Sequence, residues 1–251
     1  MIRRTTLAKA SVALAAATAL TASLSACGSG HRATPRSVTA TANRPGAASS
    51  SAPAPGALTG LLLRSALPTL TDVAAGITVS GVYDTGTDFT APHDLPKPSL
   101  PDADCTAAPS IDADALTADY RAAYASEELD NAGNSLHLVV AATNPGDAAK
   151  QLTEIRDFAQ RCANFAAPDP TGQSVGGTVT IDSLTKLGDE ALRIRVTATG
   201  PDAASYAQPE VILVRVGDEI VAVSDADHDH DGAAALSAAD LLLQRLQGQP
   251  A

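Results

Sequence analysis

Two short polar runs and three cysteines hold the side chains whose types and spacing could do chemistry. Asp225, Asp227, Asp229 and Asp231, followed by Gly232, read D-x-D-x-D-G ahead of a helical segment. Calcium loops present oxygen ligands in this alternation, with the glycine at the sharp turn. Counted from Asp227 as position one, position twelve is Ala238 instead of a bidentate Glu. Asp227, Asp229 and Asp231 therefore predict at most weak Ca²⁺ binding. His228 and His230 alternate with the aspartates and could recruit Zn²⁺, but two histidines two apart bind it poorly alone. A solvated acidic turn ahead of the last helix is the simpler reading. His137, in the strand-like SLHLVV, reads as a satisfied or exposed strand histidine, not a ligand.

Gly172-Gln173-Ser174-Val175-Gly176 matches G-x-S-x-G, the nucleophile elbow of serine hydrolases, and Asp and His residues follow it. An elbow needs a strand before the serine and a helix after it. Here Pro168, Pro170 and Gly172 precede Ser174 and a strand-like run follows, so a glycine-rich loop is expected. No Walker A loop, dinucleotide fingerprint, HExxH or paired CxxC is present, so no cofactor and no enzyme of those classes is predicted.

The cysteines divide by position. MIRRTTLAK, then ASVALAAATALTASLSAC, is a basic patch, an apolar run too short for the roughly 20 residues of a spanning helix, and small residues before Cys27. Leu24-Ser25-Ala26-Cys27 looks like the lipobox of bacterial lipoproteins. That likeness implies cleavage after residue 26, lipidation of Cys27 and attachment to the extracytoplasmic face of a cell membrane. A released secretory protein cut near Ala22 to Leu24 is the alternative. A diacyl or triacyl anchor is durable where a single chain is marginal, since each buried methylene adds about 0.8 kcal/mol.

Cys105 and Cys162 are then an even pair in an oxidising compartment, and a disulfide is expected. They stand 57 positions apart. Closing such a loop is worth about 4 kcal/mol on the chain-entropy model. Two buried free thiols are the alternative.

Composition sets the organisation. Residues 27–56 are mostly Ser, Ala, Thr, Pro and Gly, with Arg32, Arg36 and Arg44 and no acidic residue, too apolar-poor to fold, and read as a flexible tether. Residues 57–251 have the length and apolar content of one domain. Six of the 17 basic residues precede Ala57 and all 28 acidic ones follow it, so the domain carries a formal charge of −17. That balance argues against a nucleic-acid partner.

The elements that must position these groups follow from periodicity. Leu58 to Leu67 predicts a helix stopped by Pro68, and Pro92, Pro96, Pro98 and Pro101 mark a long irregular segment. Asp112 to Leu129 is ambiguous: Tyr120 and Tyr124 are four apart, which suits a helix, but extended structure fits too. Ser135 to Thr143 predicts a strand ended by Asn144-Pro145. From Gly146, Ala148, Leu152, Ile155, Ala159 and Cys162 recur at three or four, with Phe158 and Phe165 beside the stripe, predicting a helix with Cys162 on its buried face. Strands are predicted over Thr178 to Leu184, Ala191 to Ala198, Glu210 to Val216 and Glu219 to Val223, the last two joined by a Gly217-Asp218 hairpin. Ala233 to Leu246 predicts a final helix. The fold class is α+β, a single domain with helices on a mostly antiparallel sheet and one disulfide.

The lipobox, the spacer, an opening helix ending in Leu-Pro, Cys105, a helix carrying Cys162, LGDEA at Leu187 to Ala191, VRVG at Val214 to Gly217 and a terminal helix occur in this order. In these features the chain resembles the extracellular sensor domain of PknH-type receptor Ser/Thr kinases, a module that also occurs alone in actinobacterial lipoproteins. The resemblance implies an antiparallel sheet flanked by helices, a groove for an unidentified ligand, a Cys105–Cys162 disulfide and no enzymatic activity. The family commonly has a second disulfide and a Trp ahead of the helix cysteine; this chain has neither, so no ligand-binding residue is carried over. The expected function is a membrane-anchored envelope domain that binds a ligand or protein. The rivals are an envelope hydrolase using Ser174 and a structural or assembly lipoprotein acting by protein contact.

Overall fold

The computed structural model describes residues 58–87, 100, 103–131, 133–229 and 233–248. Cys27, the tether, Asp231 and His230 lie outside them. The described residues fall in one compact unit.

Apolar alternation builds eight strands: β1 (Thr78–Asp84), β2 (Arg121–Asn131), β3 (Asn134–Thr143), β4 (Asn164–Pro168), β5 (Ser174–Leu184), β6 (Glu190–Thr199), β7 (Glu210–Val216) and β8 (Glu219–Asp225). The helices are α1 (Gly60–Arg64), α2 (Ala113–Thr117), α3 (Asp147–Arg161) and α4 (Ala234–Gln247). One sheet runs β1-β2-β3-β8-β7-β6-β5-β4, antiparallel throughout. After β3 the chain crosses through α3 to the far edge and returns strand by strand, so β8 closes against β3 in the middle.

The sheet is covered on both faces, which is why β7 and β8 are buried nearly throughout. One face packs Val139, Leu192, Ile194 and Leu213 against Leu152, Ile155 and Phe158 of α3 and Leu116 of α2. The other packs Val140, Ile212, Val221 and Val223 against Leu63 and Leu67 from the α1 segment and Leu242 and Leu246 of α4. Each such side chain contributes about 1.5–3 kcal/mol of burial.

The α+β architecture and the antiparallel sheet are as expected. Cys105 and Cys162 are joined, with 5.1 Å between their Cα atoms. The bond ties the 3-10 turn Cys105–Ser110 to the end of α3, where Cys162 is fully buried. Arg161 reinforces this junction, its Nη2 donating to the Leu100 and Ala103 carbonyls at 2.9 and 3.3 Å.

The ambiguous stretch resolves into both structures. Asp112 caps α2 by accepting from the Ala115 N–H at 2.7 Å, and after one turn the chain extends into β2. Strand β1 was hidden by Gly81, which sits at φ 59° in a register irregularity between Ser80 and Tyr83 and breaks the alternation. Phe165 belongs to β4 instead of the helix, but faces the same core.

LGDEA and VRVG prove to be one contact. The turn at Gly188 wraps the β7–β8 hairpin, with the Gly217 N–H donating to Asp189 Oδ2 at 2.7 Å and the Asp189 N–H to the Arg215 carbonyl at 2.8 Å. Gly188 has φ 55°, and a Cβ there would lie 2.4 Å from the Arg215 oxygen, so only glycine fits.

One buried group conflicts with its surroundings. Glu127 on β2 shares the face of Ala125 and Leu129, is 2% exposed, and its Oε1 has no hydrogen-bond partner among the described residues. Its neighbouring cations are committed elsewhere: Arg64 to Asp84 at 2.9 Å, and Arg245 to Asp72 at 2.7 Å. Burial pushes the Glu127 pKa from 4.5 to about 7, with Arg245 and Arg64 opposing and Asp72 adding to the rise. Between pH 4.5 and about 7 the folded chain thus holds a proton that the unfolded chain has released, and stability falls as pH rises through that window. The loss should reach roughly 3 kcal/mol. Urea unfolding at pH 4.5 and pH 8 should show this difference, and Glu127→Gln should remove most of it.

Candidate functional site

At the end of the sheet where β3 begins and β8 finishes, on the α2 and α3 side, lies a cavity of about 400 Å³. Strand alternation sets its floor. Ser135 and His137 are two apart on β3 and share a face; Ser224 on β8 is the register partner of His137, and Ala226 donates its N–H to the Ser135 carbonyl. Pro109 to Asp112, the link from the 3-10 turn into α2, forms one wall, and Ala207 and Pro209, leading into β7, form another. Asp225 also borders it. The volume falls within the roughly 300–1,000 Å³ of small-molecule sites, and apolar Pro109, Ile111, Ala207 and Pro209 stand around a floor that carries the polar Ser135, His137 and Ser224.

His137 is held by acids. Its Nε2 lies 3.1 Å from Asp114 Oδ2, an ion-pair contact without hydrogen-bond alignment, and its Nδ1 lies 3.7 Å from Glu128, its cross-strand partner on β2. Burial works against the charged ring, but the Asp114 carboxylate, with Asp112 and Glu128 beyond it, outweighs burial and raises the His137 pKa. Asp114 also holds Arg121, whose side chain is fully buried: Nη1 donates to Asp114 Oδ1 at 2.6 Å and to Thr117 Oγ1 at 3.3 Å. Burial alone would push the Asp114 carboxyl up; His137 and Arg121 reverse this and bring it to about 2. The Arg121 guanidinium stacks 3.6 Å from the Tyr124 ring centre, and Tyr124 meets Tyr83 at 5.2 Å. A chain of contacts therefore runs from the cavity floor to the β1 edge.

The acidic run is divided among different tasks. Asp225 is the last residue of β8 and 1% exposed, and its Oδ1 accepts from the Asp227 N–H at 2.9 Å. Burial raises its pKa, and the charge of Glu210, its register partner on β7, adds to the rise. Glu210 in turn holds Arg195 at 2.6 Å and Arg193 at 3.4 Å. Asp227 Oδ1 accepts from the Gln208 N–H at 3.2 Å, Asp229 Oδ2 from the Gln208 amide at 2.9 Å, and the His228 N–H donates to the Gln208 carbonyl at 3.0 Å. The run thus fastens the Ala207–Pro209 wall. Among the described residues no three His, Cys, Asp or Glu side chains cluster as a metal site.

Ser174 opens β5, paired with Pro168 of β4 across a hairpin whose loop is organised by Asp169. Asp169 Oδ1 accepts from Thr171 and Gln173, and the buried Tyr206 hydroxyl donates to Oδ2 at 3.2 Å. Ser174 to Gly177, expected in a glycine-rich loop, instead form the start of β5 because they pair with β4, and the strand–turn–helix of a nucleophile elbow does not form around Ser174. Sequence reasoning missed the cavity residues Asp112, Ser135 and Ser224. Only the period of two in SLHLVV placed Ser135 and His137 on one face, and nothing in the pattern announced β8 as their neighbour.

No family model and no curated protein matches the chain. The extracellular domain of PknH from Mycobacterium tuberculosis matches with a TM-score of 0.55, covering 98% of that chain and 77% of this one. This chain has the PknH extracellular-domain fold. Identity is 12%, so the likeness to PknH is one of fold. An uncharacterized protein from Mycobacterium smegmatis matches at 14% identity over 69% of this chain and 92% of its own, with a TM-score of 0.36.

Asp114 should be the most costly acid to lose. Asp114→Asn leaves the Arg121 charge buried without its partner and is expected to destabilise by about 3–5 kcal/mol. In an NMR titration of the same variant the His137 pKa should move down, because the carboxylate that raises it is gone.

Proposed function

We propose that the protein is a membrane-anchored, non-catalytic ligand-binding domain of sensor type at the extracytoplasmic face of the cell envelope, lipidated at Cys27. The observation that carries this reading is the cavity above His137 and Ser224, preformed at the meeting of β3 and β8. The fold shared with an extracellular domain supports the location, and the lipobox-like Leu24 to Cys27 supports the anchor. The placement of Ser174 in a β hairpin speaks against a serine hydrolase.

Native mass spectrometry of the full chain purified from an actinobacterial envelope tests the binding function. A small-molecule adduct is expected, and it should disappear in Ser224→Leu, which fills the floor. Preparations without any adduct, in which no added small molecule binds saturably, would overturn the reading. The anchor is tested separately with an alkyne-bearing fatty acid fed to cells: wild-type protein should incorporate label and fractionate with membranes, and Cys27→Ala should do neither.

A further inference from the structure

The cavity's charges point to the class of its ligand, an inference that rests on the cavity being a ligand site. Among the described residues its lining includes the carboxylate of Asp112 and neither Lys nor Arg; Asp225 borders it, but strand alternation puts its side chain on the face of Val221 and Val223. Arg121, the cation behind the floor, is fully buried and held by Asp114. His137, whose ring reaches the cavity, is flanked by Asp114 and Glu128, so its charge is already matched. Arg193 and Arg195 are bound to Glu210. An anionic ligand would meet the Asp112 carboxylate without an uncommitted cation among the described residues to offset it, a large cost in a site partly shielded from water.

Two polar groups are left with capacity to spare. Ser224 is 7% exposed, lies on the floor, and its hydroxyl makes no hydrogen bond to another described residue. Asp112 caps α2 through Oδ1, and its two oxygens together have lone pairs for further donors. A buried hydroxyl and a carboxylate oxygen at a mostly apolar cavity are what an ammonium group needs: acceptors for its N–H bonds and a charge to balance its own. Metal ions are poorly served by the same groups, since no three liganding side chains cluster among the described residues.

We propose that this cavity takes an organic cation, an ammonium whose N–H groups meet the Asp112 carboxylate and the Ser224 hydroxyl while its hydrocarbon body lies along Ile111 and Pro209. The negative charge of the domain draws such ligands toward it.

Benzylamine, benzyl alcohol and benzoate form a matched, water-soluble series for ligand-observed NMR and calorimetry with the full chain at pH 7. Benzylamine should bind saturably and at least about tenfold tighter than the alcohol, and benzoate should not bind. Asp112→Asn keeps a good helix cap while removing the charge, so it should weaken benzylamine to about the level of the alcohol. Ser224→Leu should abolish binding of both. Benzoate or benzyl alcohol binding as tightly as benzylamine, with loss in Ser224→Leu, would overturn the cation assignment and leave the ligand-binding function standing. Benzylamine binding that survives both variants also overturns the assignment. Failure of all three compounds to bind at millimolar concentration counts against the assignment and the binding function together.

Discussion

The pairing of β3 with β8 is the constraint on which the rest of the structure depends. Its seven register pairs, Leu136 with Asp225 through Ala142 with Glu219, join the first three strands to the five that return from the far edge. The same pairing puts Ser224 beside His137 and so creates the cavity floor. Strand alternation makes this unforgiving: a slip of one residue would turn one strand's side chains to the opposite face. Two devices fix the register. The Asp218 carbonyl accepts from both the N–H and the hydroxyl of Thr143, and its carboxylate accepts from the Gly146 N–H ahead of α3. The hairpin tip is thus fastened to the start of the crossover helix, and the Asp189 clasp holds the hairpin from its other side.

A sheet covered on both faces leaves few places for charge, and apart from Glu127 in the middle of β2 the buried charges gather in two assemblies. Asp114 of α2 joins Arg121 of β2 and His137 of β3 into one assembly, while Glu210, Asp225 and two arginines form another where β7 begins and β8 stops. Buried ion pairs are a poor source of net stability, because desolvation offsets most of the attraction. Here they shape a boundary. They let strand ends carry polar groups into the interior beside an apolar cavity, where a fully hydrophobic end would simply pack shut.

Much of the framework was legible in the sequence because it rests on periodicity. The α3 stripe, the alternation in ALRIRVTA and the Gly217 turn each encode their element locally, and the structure places them within a residue or two. Strand β1, interrupted at Gly81, and the five-residue β4 carry too little local pattern to register. The candidate site was less legible for a different reason. Ser135, His137, Ser224 and Asp112 come from three separated segments, and only the non-local β3–β8 pairing brings them together. The acidic run showed calcium-like spacing and a plainer reading as a solvated turn, and neither revealed that Asp227 and Asp229 accept from Gln208, a residue about 20 positions earlier.

The guanidinium of Arg245 donates to the Leu67 carbonyl, 178 positions upstream. The second face of the sheet is therefore closed by the last helix lying beside the first. A nascent chain has to extend through α4 before the face of Leu63, Val221 and Val223 is covered, and a product that stops after β8 leaves that face open. Such long-range closure slows folding and prolongs exposure of adhesive surface. It also acts as a test of chain integrity, since molecules lacking α4 present an open apolar face to the proteases and chaperones that survey unfolded chains.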